Sequence, residues 1–283
     1  MPTILARYSE IGLKSTPVRV RFENRLRDNI ITMLAADRIE ALVTRKDARF
    51  YIETEDIDGA AAAMKRVFGI ASFSITEVCS SDLGAICSAA AEYSMGRLKE
   101  GDTFAVKARR EGSHNYTSVD VGREAGSAIF IANESKGVKV NLTNPAVTFY
   151  IEVRNNKAFV FGSSIRCHGG LPIGTQGKVL ADVRSERDLI SAWLMMKRGC
   201  KVIVRGEKQP LLERYDPELK YGEEVSPEIL GIVSGAALSE LEGLMSGPDI
   251  PIFFPTVGMS DGEVSSLLKT IKEEVAPPGW TGQ

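Results

Sequence analysis

The 283-residue sequence predicts an α/β protein with an α+β front half, long enough for three compact units. Three observations carry that prediction. Strand-like and helix-like periods follow the order β-α-β-β-α-β over residues 1–75. A second mixed unit closes on a strong hairpin before residue 165, and strand and helix signals alternate again after residue 178, as in a parallel sheet. The expected divisions are 1–75, 76–165, a linker at 166–178, and 179–283.

In the first segment, Thr3–Tyr8 (TILARY) is a short strand. A helix follows, with Ser15 or Thr16 as N-cap and Pro17 at the first helical position, where a missing N–H costs nothing. Val18, Phe22, Leu26, Ile30 and Met33 recur at three- and four-residue spacing as one apolar stripe, and Arg19, Arg21, Arg25 and Arg27 mostly lie off it. Ile39–Thr44 and Arg49–Thr54 are strand-like around a turn at Lys46-Asp47, Ile57–Val67 is an alanine-rich helix, and Ala71–Val78 closes the unit. That order is the ferredoxin-like split βαβ arrangement.

The second segment opens with a helix over Ser81–Lys99, capped by Asp82. Thr103–Arg109 alternates as a strand, and Val119–Ser135 is helical, with Ala125, Ile129 and Ala132 on one side. Val147–Arg154 and Lys157–Gly162 are β-branched and aromatic runs around Asn155-Asn156, a dipeptide that tolerates the positive φ of a tight turn. SSIRCHGGLPIGTQG (Ser163–Gly177) is rich in Gly, Ser and Pro and marks the linker.

Beyond it, Val179–Asp182 and Lys201–Arg205 read as strands around a helix at Asp188–Arg198. Glu207–Pro227 is polar without a clear period. Ile229–Ser234 is a buried parallel strand, Leu238–Met245 a helix, Ile250–Phe254 a strand, and Ser265–Val275 a final helix.

Composition narrows the function classes. Basic residues outnumber acidic ones 12 to 10 in residues 1–75 and again in 76–178, whereas 179–283 has 11 against 17. A bound polyanion should therefore meet the front of the molecule. Four scattered cysteines without a CxxC pair, and only two histidines, exclude a zinc site or disulfide framework, so no metal is expected. No signal-peptide pattern and no apolar run near the ~20 residues of a membrane span occurs, so the expected address is the cytoplasm, away from the membrane.

The richest constellation is Lys107–Arg123, KARREGSHNYTSVDVGR. A strand ends in Lys107, Arg109 and Arg110; a polar turn brings His114 and Tyr116; Thr117-Ser118 can cap the next helix. Guanidinium forks and a helix N-terminus suit phosphate oxygens, and an aromatic ring can stack on an unpaired base. A charged strand end before a well-capped helix has the same pattern.

This stretch resembles the THUMP domain of the tRNA 4-thiouridine synthetases, the ThiI family, where a similar RR-G-H-x-x-TS-x-D-x-GR-x-x-G run occurs. RYSEIGLKS (Arg7–Ser15), VNLTNPAVTFYIEVRNNKAFVF (Val140–Phe161), GGLPIGTQGKVL (Gly169–Leu180) and AWLMMKRGC (Ala192–Cys200) resemble the same family in the same order. The resemblance implies a ferredoxin-like domain, a THUMP domain, and a truncated parallel α/β domain of the pyrophosphatase-like kind. It implies tRNA as partner, gripped at its single-stranded 3′ acceptor end. By position, Lys107, Arg109, Arg110, His114 and Arg123 would touch RNA, followed by Lys139, Asn141 and Asn144. Asn144-Pro145 also fits a turn before the hairpin, since proline restricts the residue before it.

Active members of the family carry a pyrophosphate loop, SGGxDS, directly before the AAWLMMKRG helix, where the tRNA uridine is adenylated before sulfur replaces the adenylate. The corresponding stretch here is Val183-Arg184-Ser185-Glu186-Arg187-Asp188. It has neither glycine, so side chains stand where backbone amides should meet phosphate, and Glu186 and Asp188 add negative charge. Arg184 and Arg187 remain as side-chain anion contacts. From Glu213 onward 4 basic residues face 13 acidic ones, and no cysteine follows Cys200 to relay sulfur, nor any stretch like the rhodanese domain of longer members. Gly258-Met259-Ser260-Asp261 resembles a late family motif.

Two further patterns are set aside. GTQGK (Gly174–Lys178) lacks the first Walker A glycine and the Ser or Thr after lysine. Cys167-His168 is only nominally a nucleophile–base pair. The expectation is a tRNA-binding protein of the tRNA sulfurtransferase lineage, acting in tRNA thiolation without catalytic residues or cofactor of its own. A catalytic partner protein and a homodimer are both compatible with it. The alternatives are an ATP-dependent uridine-adenylating enzyme with an altered loop, which would bind ATP, and an interaction scaffold that does not bind RNA.

Overall fold

The computed structural model describes residues 2–222, 225–241 and 250–275. Contacts group the chain into two units: Met1–Ala6, Thr44–Ile57 and Phe73–Ile165 form the first, and Arg7–Val43, Asp58–Ser72 and Arg166–Gln283 the second.

The first unit is built on one sheet of β1 (Thr3–Arg7), β2 (Leu42–Lys46), β3 (Arg49–Glu53), β4 (Ser72–Ser80), β5 (Thr103–Glu111), β6 (Lys139–Val140), β7 (Val147–Arg154), β8 (Lys157–Phe161) and β9 (Ile165–Arg166). The strand order is β2-β3-β1-β4-β8-β7-β5-β6, with β9 on β4. The antiparallel β4–β8 pairing, Val78 opposite Phe159, joins the strands of residues 1–75 to those of the following segment. β5 runs parallel to both neighbours, β6 and β7.

Strand alternation decides which residues are buried. Phe104 on β5, Phe149, Ile151 and Val153 on β7, and Ala158 and Val160 on β8 pack against α3 (Leu83–Met95) and α4 (Ser118–Ala132). Ile86, Ala90, Val121, Ala125 and Ile129 are the helical side of that core. On the opposite face Leu5, Tyr51, Phe159 and Phe161 make a smaller cluster. The hairpin stands where expected, with Asn155 at φ 52°. The β2–β3 turn lies one residue later than expected, with Asp47 and Ala48 at φ 52° and 55°.

In the second unit, α1 (Thr16–Ala36) starts with Ser15 as N-cap and Pro17 in its first turn, but the serine hydroxyl makes no capping bond. Phe22, Leu26, Ile30 and Met33 are buried, as their spacing requires. The five-stranded sheet has the order β12-β11-β10-β13-β14, all parallel: β10 (Lys178–Asp182), β11 (Lys201–Arg205), β12 (Lys220–Tyr221), β13 (Ile229–Val233) and β14 (Ile252–Phe253). α2 (Ile57–Lys65), α5 (Glu186–Lys197), α6 (Pro210–Glu213) and α7 (Asp261–Val275) complete the helices used below. The polar stretch 207–227 therefore contains a short helix and an edge strand that periodicity did not show. The helix expected over Leu238–Met245 begins as a 3-10 turn at Leu238–Glu240, and residues 242–249 lie outside the described residues.

The stretch 166–178 is not a free tether. Leu171 and Ile173 are buried. The Leu171 N–H donates to Lys197 O at 3.0 Å and the Gly174 N–H to Gly199 O at 2.9 Å. Gly170, at φ 76°, passes so close that an added Cβ would lie 2.2 Å from Lys197 O. Lys178 already belongs to β10.

Candidate nucleic-acid interface

β5 carries the cations because it ends beyond the helices that cover its apolar half. Its even positions, Phe104, Val106 and Ala108, face α3 and α4. Lys107 and Arg109 therefore project from the opposite face, with Tyr150 and Glu152 beside them in register on β7. Tyr150 stacks on Phe161 with centroids 5.4 Å apart and planes at 12°. These aromatics were missed in the sequence, although alternation through the hairpin already sets Tyr150 and Phe161 on one face. Lys107 and Arg109 are exposed, and no carboxylate pairs with either among the described residues. Arg154 on the same face is already occupied by Glu152 at 3.1 Å and by Glu111.

Arg110, His114 and Arg123 are placed differently. Arg110 Nη1 donates to Gly112 O at 2.7 Å and lies 3.4 Å from His114 Nδ1. His114 Nε2 is 2.6 Å from Asn155 O. The tautomer protonated at Nε2 satisfies both contacts. Its ring stacks on Tyr116 at 5.1 Å, and the Tyr116 hydroxyl donates to Ser81 O. Thr117 caps α4 in a reciprocal box: its hydroxyl accepts the Asp120 N–H at 3.2 Å, and Asp120 Oδ2 accepts the Thr117 N–H at 2.8 Å. Those bonds hold the Asp120 carboxyl below its ordinary value. Arg123 is exposed but paired with Asp120 at 3.3 Å and Glu124 at 3.1 Å. The α4 N-terminus thus already carries its own carboxylate, which weakens it as a phosphate site.

The third group lies at the start of β5. Lys139 pairs with Thr103, roughly 13 Å along the strand from Lys107 at ~3.3 Å per residue. Asn141 Oδ1 accepts the N–H groups of Thr143 at 3.1 Å and Asn144 at 3.0 Å, so this side chain shapes the turn. Asn144 is exposed. The Ala146 N–H donates to Thr103 Oγ1 at 3.0 Å, which puts the loop over the face that bears Lys107 and Arg109. The expected RNA residues therefore do not form one cluster. Lys107 and Arg109 share a face with the 141–146 loop, and Arg110, His114 and Arg123 surround the exit from β5.

At the head of α5 the six-residue stretch forms a second capping box. Asp188 Oδ2 accepts the Ser185 N–H at 3.0 Å, the Ser185 hydroxyl at 2.8 Å and the Arg184 N–H at 3.3 Å, and the Asp188 N–H returns to Ser185 Oγ at 3.1 Å. Its other oxygen, Oδ1, accepts the Gly235 N–H at 2.8 Å. Gly235 follows β13, which adjoins β10 where the strand order reverses, the place where open α/β sheets bind ligands. A Cβ on Gly235 would stand 2.5 Å from the Asp188 nitrogen. Arg187 is not open to an anion as its sequence suggested. Nη1 donates to Thr256 O at 2.9 Å, and Nη2 to Met259 O at 3.0 Å and Asp261 at 2.6 Å. Arg184 pairs with Asp182, Nε to Oδ1 at 2.9 Å. Glu186 is 3.7 Å from Lys272, and Val183 packs on the core beneath.

No group of three potential metal ligands and no helix long and apolar enough to cross a membrane occurs among the described residues. The Cys167 thiol is pushed up to about 12 by burial, and its neighbour His168 is held by Glu274 at 2.5 Å, so the pair is not a nucleophile and its base.

Residues 3–74 match the ThiI ferredoxin-like domain and residues 80–162 the THUMP domain. A probable tRNA sulfurtransferase of Methanosarcina acetivorans is 40% identical over 203 residues, 70% of this chain and 49% of the relative. The chain thus spans about half the length of the curated relatives it matches. PH1313 from Pyrococcus horikoshii Ot3 superposes with a TM-score of 0.81 at 25% identity, covering 96% of this chain and 99% of that one. A 4-thiouridine synthetase solved as an RNA complex with bound ATP shares the fold, with a TM-score of 0.77 at 20% identity over 98% of this chain and 87% of that one.

Proposed function

Given that the chain belongs to the family of the ThiI ferredoxin-like and THUMP domains, we propose that it binds tRNA through its first unit and does not itself activate the nucleotide. The observation that carries the reading is a contrast in how charge is used. Lys107 and Arg109 stand exposed without acidic partners among the described residues. The helix terminus where a phosphate would sit is filled by Asp188. A carboxylate bonded to those amides competes directly with a phosphate for the same donors and repels it.

In this reading Lys107 and Arg109 hold backbone phosphates, and Tyr150 and the His114–Tyr116 stack offer rings near unpaired bases of the 3′ acceptor end. A separate protein supplies the activation step of thiolation. Filter binding of tRNA tests it: Arg109→Ala with Arg110→Ala should weaken binding across tRNA sequences alike, since phosphate contacts position rather than specify. Parental affinity in that double variant would refute the assignment. The rival reading, an ATP-dependent enzyme with an altered loop, is favoured by one feature, an open cleft of about 640 Å³ between the 182–186 stretch and Arg205. ATP–pyrophosphate exchange in the presence of tRNA separates the two, because robust exchange is incompatible with the proposed loss.

A further inference from the structure

The sheet of the first unit is left open along β5. β6 pairs with it only at Thr103 and Phe104, and no strand continues that line among the described residues. The Lys139 N–H donates to Asp102 O at 3.0 Å and the Asn141 N–H to Phe104 O at 2.9 Å. Even-numbered residues of β5 therefore turn their backbone groups to this edge, and odd-numbered ones serve β7. By that alternation the N–H and C=O groups of Val106, Ala108 and Arg110 point outwards, without a hydrogen-bond partner among the described residues. The two faces beside the edge differ. On one, Lys107 and Arg109 stand roughly 6.6 Å apart at ~3.3 Å per residue, exposed and with no carboxylate on either among the described residues. On the other, α4 overhangs: a Cβ on Gly122 would lie 3.9 Å from Val106 O, and one on Gly126 3.8 Å from Val106 Cγ2. Val119 and Phe130, a turn to either side of those glycines, are exposed.

An open edge is a template for another strand, and natural sheets usually shorten or cover it. Here the flanks specify what would pair. A strand laid along Val106–Arg110 turns alternate side chains to Lys107 and Arg109, and the others to Val119 and the glycine notch of α4. Opposite charges facing across a strand pair are favourable, and like charges so placed are not. A second copy of β5 would set Lys107, Arg109 and Arg110 against their own kind, which argues against self-pairing. We propose that the β5 edge binds an extended segment of a partner protein in which acidic and apolar residues alternate, the acidic side chains on Lys107 and Arg109 and the apolar ones under α4. RNA and this segment then compete for the same two cations. The strand pairing itself does not rest on the RNA reading, because the backbone groups of Val106, Ala108 and Arg110 supply the ladder.

Fluorescence anisotropy of the full chain with a short labelled peptide of alternating glutamate and valine, blocked at both ends, tests the proposal. The peptide should bind, and a version with lysine in place of glutamate should bind roughly tenfold more weakly or worse. N-methylation of every second peptide nitrogen should weaken binding by roughly tenfold or more in the frame whose N–H groups face β5, and leave it nearly unchanged in the other. Hydrogen exchange followed by NMR should slow at the Val106, Ala108 and Arg110 amides when the peptide is added. No binding, equal binding of the lysine peptide, equal effects of both N-methyl frames, or unchanged exchange at those amides would each overturn the proposal. Slowing of the same amides by single-stranded RNA but not by the peptide would make the edge an RNA element and refute it as well.

Discussion

Asp188 does two things with one carboxylate. It closes the capping box of α5 and ties that helix to Gly235 across the strand-order reversal. A side chain that bonds three N–H groups and a hydroxyl is worth keeping for stability alone, which explains how a loop without glycines still starts a helix. Asp188→Ala should therefore lower stability by about 1 kcal/mol in urea unfolding, the ordinary cost of a lost cap. It should also free the Arg184, Ser185 and Gly235 N–H groups at the head of α5, so that inorganic phosphate stabilises the variant against heat more than it does the parent. Equal phosphate effects on both would mean that Asp188 is not what blocks an anion there. Arg187 teaches a related lesson: its guanidinium, free on paper, is spread over Thr256 O, Met259 O and Asp261.

Short connections define how the elements are held. Ala48 adopts φ 55° in the β2–β3 turn, a left-handed conformation in which its Cβ crowds the following carbonyl. Ala48→Gly should raise stability by about 1 kcal/mol, read from the urea midpoint at unchanged slope. The last turn of α7 acts on the 166–178 stretch through Glu274, which accepts from His168 at 2.5 Å and from the Tyr215 hydroxyl at 3.2 Å. Burial alone would raise the Glu274 carboxyl, but the hydrogen bonds from His168 and Tyr215 together with the charges of His168 and Lys65 outweigh it, and the net value is lowered. Its stabilising contribution is then present above the ordinary glutamate value and is lost as pH falls through the depressed folded value. Glu274→Gln should flatten the stability–pH curve across the carboxylate range below about pH 5, as followed by thermal melts. A curve identical to the parent's would show the contact to be energetically idle.

For the whole molecule, charge is unevenly distributed: residues 1–178 are mildly basic and the remainder is acidic by six charges, 11 against 17. Binding of a polyanion at the β5 face should therefore be strongly salt-dependent, with log affinity falling by about 0.7 per phosphate neutralised on a single strand. Lys107→Ala should reduce the magnitude of that slope by about 0.7 if its ammonium meets one phosphate. An unchanged slope would remove Lys107 from the contact surface. Alternation along β5 explains why Lys107 and Arg110 cannot be treated as one patch, since residues an odd number of positions apart on a strand leave opposite faces.

Much of this was legible from local pattern. The apolar stripe of α1, the Asp82 cap and the Val147–Phe161 hairpin depend on neighbours within a few residues, and so do the caps at Thr117 and Ser185, which the residue types already allow. The role of 166–178 was not legible, because its glycines and proline look the same in a mobile tether as in a strap packed against Lys197 O. Nor was the open edge of β5, which depends on how far a distant strand pairs along it. Local sequence thus determined the elements, their order and the surplus of cations on β5, because backbone propensity and periodicity act over short range. Only tertiary structure decided which charges are satisfied: a carboxylate meets or misses its donor according to how remote segments pack, and spacing along the chain carries no information about that distance.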